Sequence, residues 1–291
     1  MSTAIRSGTL LLLALALAEA TLGCGGGSAG RAPGPVFKAE EDLARSAGKA
    51  WARGDLRMAI VYQERALVAA RSVEDDEGIA LRMLDLAALH RAAGEASEAH
   101  AALTELLADD PPLAYPGRWR AEAARTAGLL ALDRGDTAAA TQWAARAFDI
   151  CHAARCPKEG AIVNLQARAA FLAGDPEGAI RLAQKALPLN RAAKDEEETA
   201  NSARIIADGE MGAGRHANAS RAFATALALD KKLGLEAKIV LDLLGLGNAA
   251  RGDGRTNAAR EYFERARTVA RASGDAATAA EINTLIESEV P

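Results

Sequence analysis

Cys151, His152 and Cys156 form the densest cluster of chemically capable side chains in the sequence. A zinc site wants four Cys, His or carboxylate ligands, and three do not fill it. Covalent haem attachment needs Cys-x-x-Cys-His, whereas here the histidine follows the first cysteine and the spacing is wrong. In an oxidising compartment the two cysteines would pair as a disulfide; two free buried thiols are the alternative. Such a bridge closes a short loop, so its entropic gain is modest. The four histidines, His90, His100, His152 and His216, form no His-Glu-x-x-His pair, and no Gly-x-Ser-x-Gly elbow occurs. The run Gly25-Gly26-Gly27 lacks the Gly-Lys-Ser/Thr of a phosphate loop. Nothing in this inventory calls for a metal, a cofactor or an enzyme.

The third cysteine, Cys24, stands in a different setting. Met1–Ser7 carries one arginine, Thr9–Ala18 is an apolar run too short to cross a membrane as a mature helix, and Gly23-Cys24 is followed by Gly25-Gly26-Gly27-Ser28. This stretch resembles a bacterial lipoprotein export signal, with Thr21 where leucine is usual. The resemblance implies removal of residues 1–23, lipidation of Cys24, and a Gly/Pro-rich tether over 24–36. It leaves an even pair of cysteines behind. Gly25, rather than an aspartate, also resembles the outer-membrane sorting pattern, which implies anchoring at the periplasmic face of the outer membrane. A rival cut after Ala18-Glu19-Ala20 would instead release a soluble periplasmic or secreted protein.

What must position every other side chain is a repeat. Gly54, Gly94, Gly135, Gly174, Gly214 and Gly254 stand 40, 41, 39, 40 and 40 residues apart. Alanines follow five and twelve residues after each: Ala59/Ala66, Ala140/Ala147, Ala179/Ala186, Ala219/Ala226 and Ala259/Ala266, with Ala99 and Leu106 in the second copy. Seven residues before each glycine stands another small residue: Ala47, Ala87, Gly128, Ala167, Ala207 and Gly247. Glycine can end a helix in the left-handed conformation at no steric cost, and an acid after it suits the next N-cap. Small residues on both helices then let the two approach closely. A fixed period of this length is the mark of a solenoid. Composition agrees, because a chain with 4% aromatics cannot fill one large core with bulky side chains but can fill thin Ala/Leu seams. The net charge of −4, with both signs interspersed, gives no nucleic-acid footprint.

The Gly/Ala/Ala frame with its preceding small residue resembles the tetratricopeptide repeat family across about residues 38–290. The family's aromatic and closing proline positions are mostly unmatched, and the period exceeds the usual ~34. The resemblance implies an all-α, right-handed α-solenoid of about six helical hairpins over residues 37–291, with Ala276–Ser288 as a capping helix. The period of 40 asks for longer second helices or longer joints, and Pro188 is expected to close the fourth hairpin's second helix. Arg-Gly-Asp at 53–55, 134–136 and 251–253 reads as turn chemistry in each case.

In the family the first helices line a concave face. The glycine frame carries its groove positions onto Glu122 and Arg125, Asn164 and Arg168, Asn201, Arg204 and Asp208, and Asn248 and Arg251. An Asn/Arg ladder suits a peptide: asparagine can bond a strand's backbone both ways, and arginine can hold a carboxylate with two donors. A solvated polar face is the plainer reading of the same residues. Leu81, Leu84 and Ala88 make the N-terminal end of that face apolar. The chain is therefore expected to be a non-catalytic scaffold binding a protein or peptide in its groove, tethered to the membrane by the lipid on Cys24. The alternative is a structural subunit of a larger envelope assembly, contacting its neighbours by edges or convex face.

Overall fold

A computed structural model describes residues 34–288. The export-signal segment, Cys24 and the tether up to residue 33 lie outside the described residues. Those described form α1 (Pro35–Ala52), α2 (Leu56–Ser72), α3 (Asp76–Ala92), α4 (Ala96–Leu107), α5 (Gly117–Asp133), α6 (Thr137–Ala154), α7 (Glu159–Leu172), α8 (Pro176–Ala192), α9 (Glu196–Gly212), α10 (His216–Leu233), α11 (Glu236–Gly252), α12 (Thr256–Ala272) and α13 (Ala276–Ser288), with no strand among them. Consecutive helices pack as antiparallel hairpins, six in all, and α13 covers α12. The fold is an all-α solenoid.

The turn within each hairpin is built as the glycine frame requires. Gly54, Gly94, Gly135, Gly174, Gly214 and Gly254 all have φ between +72° and +85°. Asp55, Asp136 and Asp175 then accept from the backbone N–H of Met58, Ala139 and Gly178, satisfying a donor that the helix start leaves over. Glu95 does not cap; its carboxylate lies 2.7 Å from His90 Nδ1 instead. The third Arg-Gly-Asp also differs from expectation. Gly252 is the last residue of α11, and Asp253 accepts from Arg255 rather than capping α12. The turn there belongs to Gly254, so the tripeptide is displaced from the frame.

The joints between hairpins use the same left-handed device without advertising it. Glu74, Arg155 and Lys194 have φ of 53°, 51° and 57°, and Gly234 and Gly274 serve the later joints. These joints are short, so the period of 40 comes from length in both helices of most hairpins, commonly 17 or 18 residues each. The exceptions are α7, of 14 residues, and α4, of 12, which stops before Asp109-Asp110-Pro111-Pro112. Its terminal carbonyls are taken up by guanidinium groups, Arg120 donating to Leu106 and Ala108 and Arg146 donating to Leu107.

Pro188 does not end α8. The helix continues through it to Ala192. Two residues on, the Asn190 side chain is buried and donates to the Glu198 carbonyl and to Ser202 Oγ on α9. Tertiary bonding from the next repeat holds the last turn in place despite the donor that proline removes.

Small faces small across every hairpin. All eleven frame alanines on the second helices are 0% exposed. Where glycine replaces alanine on the first helix, the facing helix carries an aromatic: Trp143 opposite Gly128 and Phe263 opposite Gly247. A Cβ at Gly247 would collide with the Phe263 ring, which is itself fully buried. Gly247→Ala is therefore expected to destabilise by about 1–3 kcal/mol through overpacking. Gly48→Ala, at an open position of α1, should stabilise by roughly 0.5–1 kcal/mol through helix propensity alone. Urea unfolding of the two variants checks the contrast in sign.

Curvature follows from which helices meet across repeats. First helices touch the first helix of the next repeat (α3 with α5, α5 with α7, α7 with α9, α9 with α11), whereas second helices make no comparable contact with one another. The array is thus closed on the first-helix side and splayed on the other. The concave face is lined by α3, α5, α7, α9 and α11.

Candidate functional site

The concave face carries one groove in two halves. The polar half, a cavity of about 950 Å³, is lined by α5, α7, α9 and α11. It contains seven of the nine groove residues expected from the repeat frame, Arg125, Asn164, Arg168, Asn201, Arg204, Asp208 and Asn248, while Glu122 lines the other half. Arg251 is not among its walls. It sits in the last turn of α11, donates to Asn248 Oδ1 at 2.8 Å, and lies 5.9 Å over the Phe263 ring. The apolar half, about 860 Å³, is lined by Trp51, Leu81, Leu84, Ala88, Trp119 and Leu129, rimmed by Arg91, Asp133 and Glu122. Arg91, Arg125 and Leu129 line both halves, so the two are continuous.

The ladder of asparagine and arginine is largely spent inside the protein. Asn164 is buried; its amide donates to the Glu198 carbonyl and carboxylate, both at 2.9 Å, while its carbonyl oxygen accepts from Ser202 Oγ at 2.8 Å. It ties α7 to α9, and both of its amide N–H donors are spent there. Arg125 forms a two-donor pair with Glu122 at 2.6 and 3.0 Å, with Glu198 3.7 Å away. Burial opposes ionisation of Glu122, but the Arg125 charge outweighs it and holds the carboxyl below its ordinary range. Asn201 accepts from Arg204 and from Lys238.

Arg204 is the most heavily committed. It donates to Asp230 on α10, to both carboxylate oxygens of Asp242 on α11, and to Asn201 on its own helix. Asp230 and Asp242 are each 0% exposed, and Asp230 Oδ1 has no hydrogen-bond partner. Burial pushes the Asp242 carboxyl up to about 7, against the opposing pull of Arg204 and with the Asp230 charge adding to the rise.

Two polar groups in this half remain uncommitted. Among the described residues, neither Arg168 nor Asp208 has a hydrogen bond or ion pair. Every other charged or amide side chain lining the cavity has one, including Arg91 with Asp133 and Lys238 with Glu197. Burial raises the Asp208 carboxyl to about 6, with Arg204 and Arg168 pulling the other way. Crowding also lowers the Arg168 guanidinium, with Arg91 adding to the effect. The apolar walls beside them, Phe171, Met211, Phe223, Leu241 and Leu244, escaped the sequence reading. Leucines at first-helix positions look like core in a sequence, yet Leu241 is 54% exposed.

The Cys151/His152/Cys156 cluster touches the groove only through Cys156, which lines the apolar half. The two cysteines are joined as a disulfide with Cα atoms 5.0 Å apart, bridging the end of α6 and the joint before α7. His152 stacks on Phe148. Among the described residues no group of three or more His, Cys, Asp or Glu side chains is placed to hold a metal ion. Nor is any described helix long and apolar enough to cross a membrane.

No protein-family model matches the sequence, and no curated protein matches it either. Solved structures do match. The tetratricopeptide repeat sensor-bearing signal-transduction ATPase of Pyrococcus horikoshii superposes with a TM-score of 0.62 at 14% identity, over 84% of this chain and 37% of that one. The fold is a tetratricopeptide-repeat-type solenoid. The type IV pilus biogenesis factor PilW is similar at a TM-score of 0.55 and 18% identity, over 79% of this chain and 92% of that chain. A Rap protein complexed with Competence and Sporulation Factor gives 0.59 at 13% identity, over 87% and 75%. Likeness at these identities speaks for the solenoid alone.

Proposed function

We propose that this tetratricopeptide-repeat-type solenoid is a non-catalytic scaffold that binds a segment of another protein in its concave groove. The observation that carries the reading is the groove itself, apolar between α1 and α5 and polar between α5 and α11. Such a surface suits a polypeptide whose one end offers apolar side chains and whose other end offers polar groups. The Rap protein complexed with Competence and Sporulation Factor is a ligand-bound example of a similar solenoid, and PilW, a type IV pilus biogenesis factor, is another solenoid of this kind. Lipidation of Cys24 would hold the scaffold at the bacterial membrane and raise its local concentration, so a modest groove affinity would suffice.

The internal commitment of Asn164, Asn201 and Arg204 favours a second reading, in which the groove is structural and neighbours in a larger assembly dock on the edges. Crosslinking in native membranes followed by mass spectrometry separates them. The variant Trp51→Ala/Leu241→Ser alters two exposed groove walls and should keep the fold, as circular dichroism checks. Loss of one crosslinked partner by about tenfold or more is expected; an unchanged partner set would hand the case to the edge-docking reading. In parallel, Cys24→Ala should move the protein from the membrane to the soluble fraction. Retention in the membrane would remove the lipid anchor.

A further inference from the structure

Resting on the groove reading, we infer that Arg168 and Asp208 are the ligand-contact pair of the polar half, and that they grip the main chain of an extended peptide with apolar side chains.

The argument starts from elimination. Every other charged side chain lining this half is bonded within the protein, while Asn201 and Asn248 are bonded there through their carbonyl oxygens. Arg168 is exposed and Asp208 half-buried, so both reach the open groove and are available to a partner from outside. Arg168 on α7 and Asp208 on α9 feel each other's charge but do not close to an ion pair. One offers a fork of donors and the other two acceptor oxygens. A peptide unit offers the complement, a C=O and an N–H.

The surroundings select that complement over a charged group. The pair itself is neutral overall, and the neighbouring cations each have an anion, Arg91 with Asp133, Arg125 with Glu122 and Lys238 with Glu197. No cation beside the pair is left without an anion to attract an acidic ligand, and Glu198, which also lines the cavity, is held by Asn164 and lies 3.7 Å from Arg125. The flanking walls are Phe171, Met211, Phe223, Leu241 and Leu244, which would receive apolar side chains on either side of the gripped peptide unit.

The pair also sets a pH signature. Asp208 must be ionised to accept from an N–H with full strength, and its carboxyl is held at about 6. The charged groups acting on it are Arg204 on its own helix and Arg168 on α7; α11 adds Lys238 to the same cavity, α10 adds only Phe223, and α8 adds nothing. Acidification from pH 7.5 to 5 therefore protonates the acceptor and weakens the grip.

The test uses residues 35–291, which form one compact unit, and a displayed library of random twelve-residue peptides selected on the wild-type groove. The affinity of a selected peptide is then measured against Arg168→Met and Asp208→Asn, with thermal unfolding to check that each remains folded. Each variant should weaken binding about tenfold or more, as loss of a hydrogen bond to a charged group does. Wild-type affinity should fall between pH 7.5 and 5, and that dependence should flatten in Asp208→Asn. Selected peptides that bind both variants unchanged but lose affinity to Leu241→Ser would overturn the pair and leave the groove reading standing. If no peptide is selected, the groove reading itself fails and this inference with it.

Discussion

Replacing Arg204 by methionine is expected to destabilise the C-terminal half of the solenoid by about 3–5 kcal/mol at neutral pH. The side chain bonds three elements at once, α9 through Asn201, α10 through Asp230 and α11 through Asp242. Methionine fills similar space but leaves two fully buried acids facing each other, with no counter-charge for the one that stays ionised. That is the costly way to break a buried pair, because the remaining charges keep their desolvation penalty and lose their compensation. Arg204→Lys should recover little, since a single ammonium cannot fork between two acids on different helices. Adding Asp230→Asn and Asp242→Asn to the methionine variant should return much of the loss, giving a strongly non-additive cycle. Urea unfolding should also show a second, earlier transition in Arg204→Met, because repeats are stabilised mainly through their neighbours. A single transition within 1 kcal/mol of wild type would show that the cluster carries no such weight.

Much of the fold was legible because its determinants are local. A glycine at the hairpin turn needs its left-handed φ wherever it occurs, and the alanines five and twelve residues on lie on one helical face by periodicity alone. The joints at Glu74, Arg155 and Lys194 were not legible, since nothing about these residues marks a positive φ. Pro188 was misread because its local preference is overridden by Asn190, which α9 holds from the next repeat.

The site divides along the same line. The resemblance to the repeat family, carried over by the glycine frame, put Arg125, Asn164, Arg168, Asn201, Arg204, Asp208 and Asn248 on one face, and these residues line one cavity. Which of them are available to a ligand depends on bonds between repeats. Asn164 meets Glu198 and Ser202 at separations of 34 and 38 residues, and Arg204 meets Asp242 at 38. No periodic pattern in one chain distinguishes an asparagine that binds the next repeat from one that waits for a peptide. Asp230 and Asp242 were missed for a related reason. Each sits among residues that read as ordinary helix surface or core, and only packing reveals two acids buried on one guanidinium.

Those two acids should also give the protein an inverted pH profile. An isolated aspartate has its carboxyl near 3.8, whereas that of Asp242 is held at about 7 in the folded chain by burial, with Asp230 beside it. The folded state therefore binds a proton across the window between these values that the unfolded state has released. Stability falls as pH rises wherever the native state holds more protons, so it should be greater at pH 5 than at pH 8. The part of that window above pH 5 corresponds to a difference on the order of 3 kcal/mol. The groups facing the acid pair are Arg204 and Asn201 from α9, with Lys238 on α11 bonded to Asn201. Asp208, raised to about 6, and the raised carboxyls of Asp85 and Glu40 act in the same direction. Glu122, held low by Arg125 despite burial, acts oppositely but only below its ordinary range. Thermal unfolding from pH 5 to 8 should show a falling midpoint. Asp242→Asn isolates the cause: its carbonyl can accept from Arg204 and its amide can donate to Asp230, so the shared proton is supplied permanently. That variant should match wild type at pH 5, exceed it at pH 8 and lose most of the slope between. A wild-type midpoint that rises over this range, or a slope that survives Asp242→Asn, would mean that the pair is ionised throughout and that Arg204 compensates both charges.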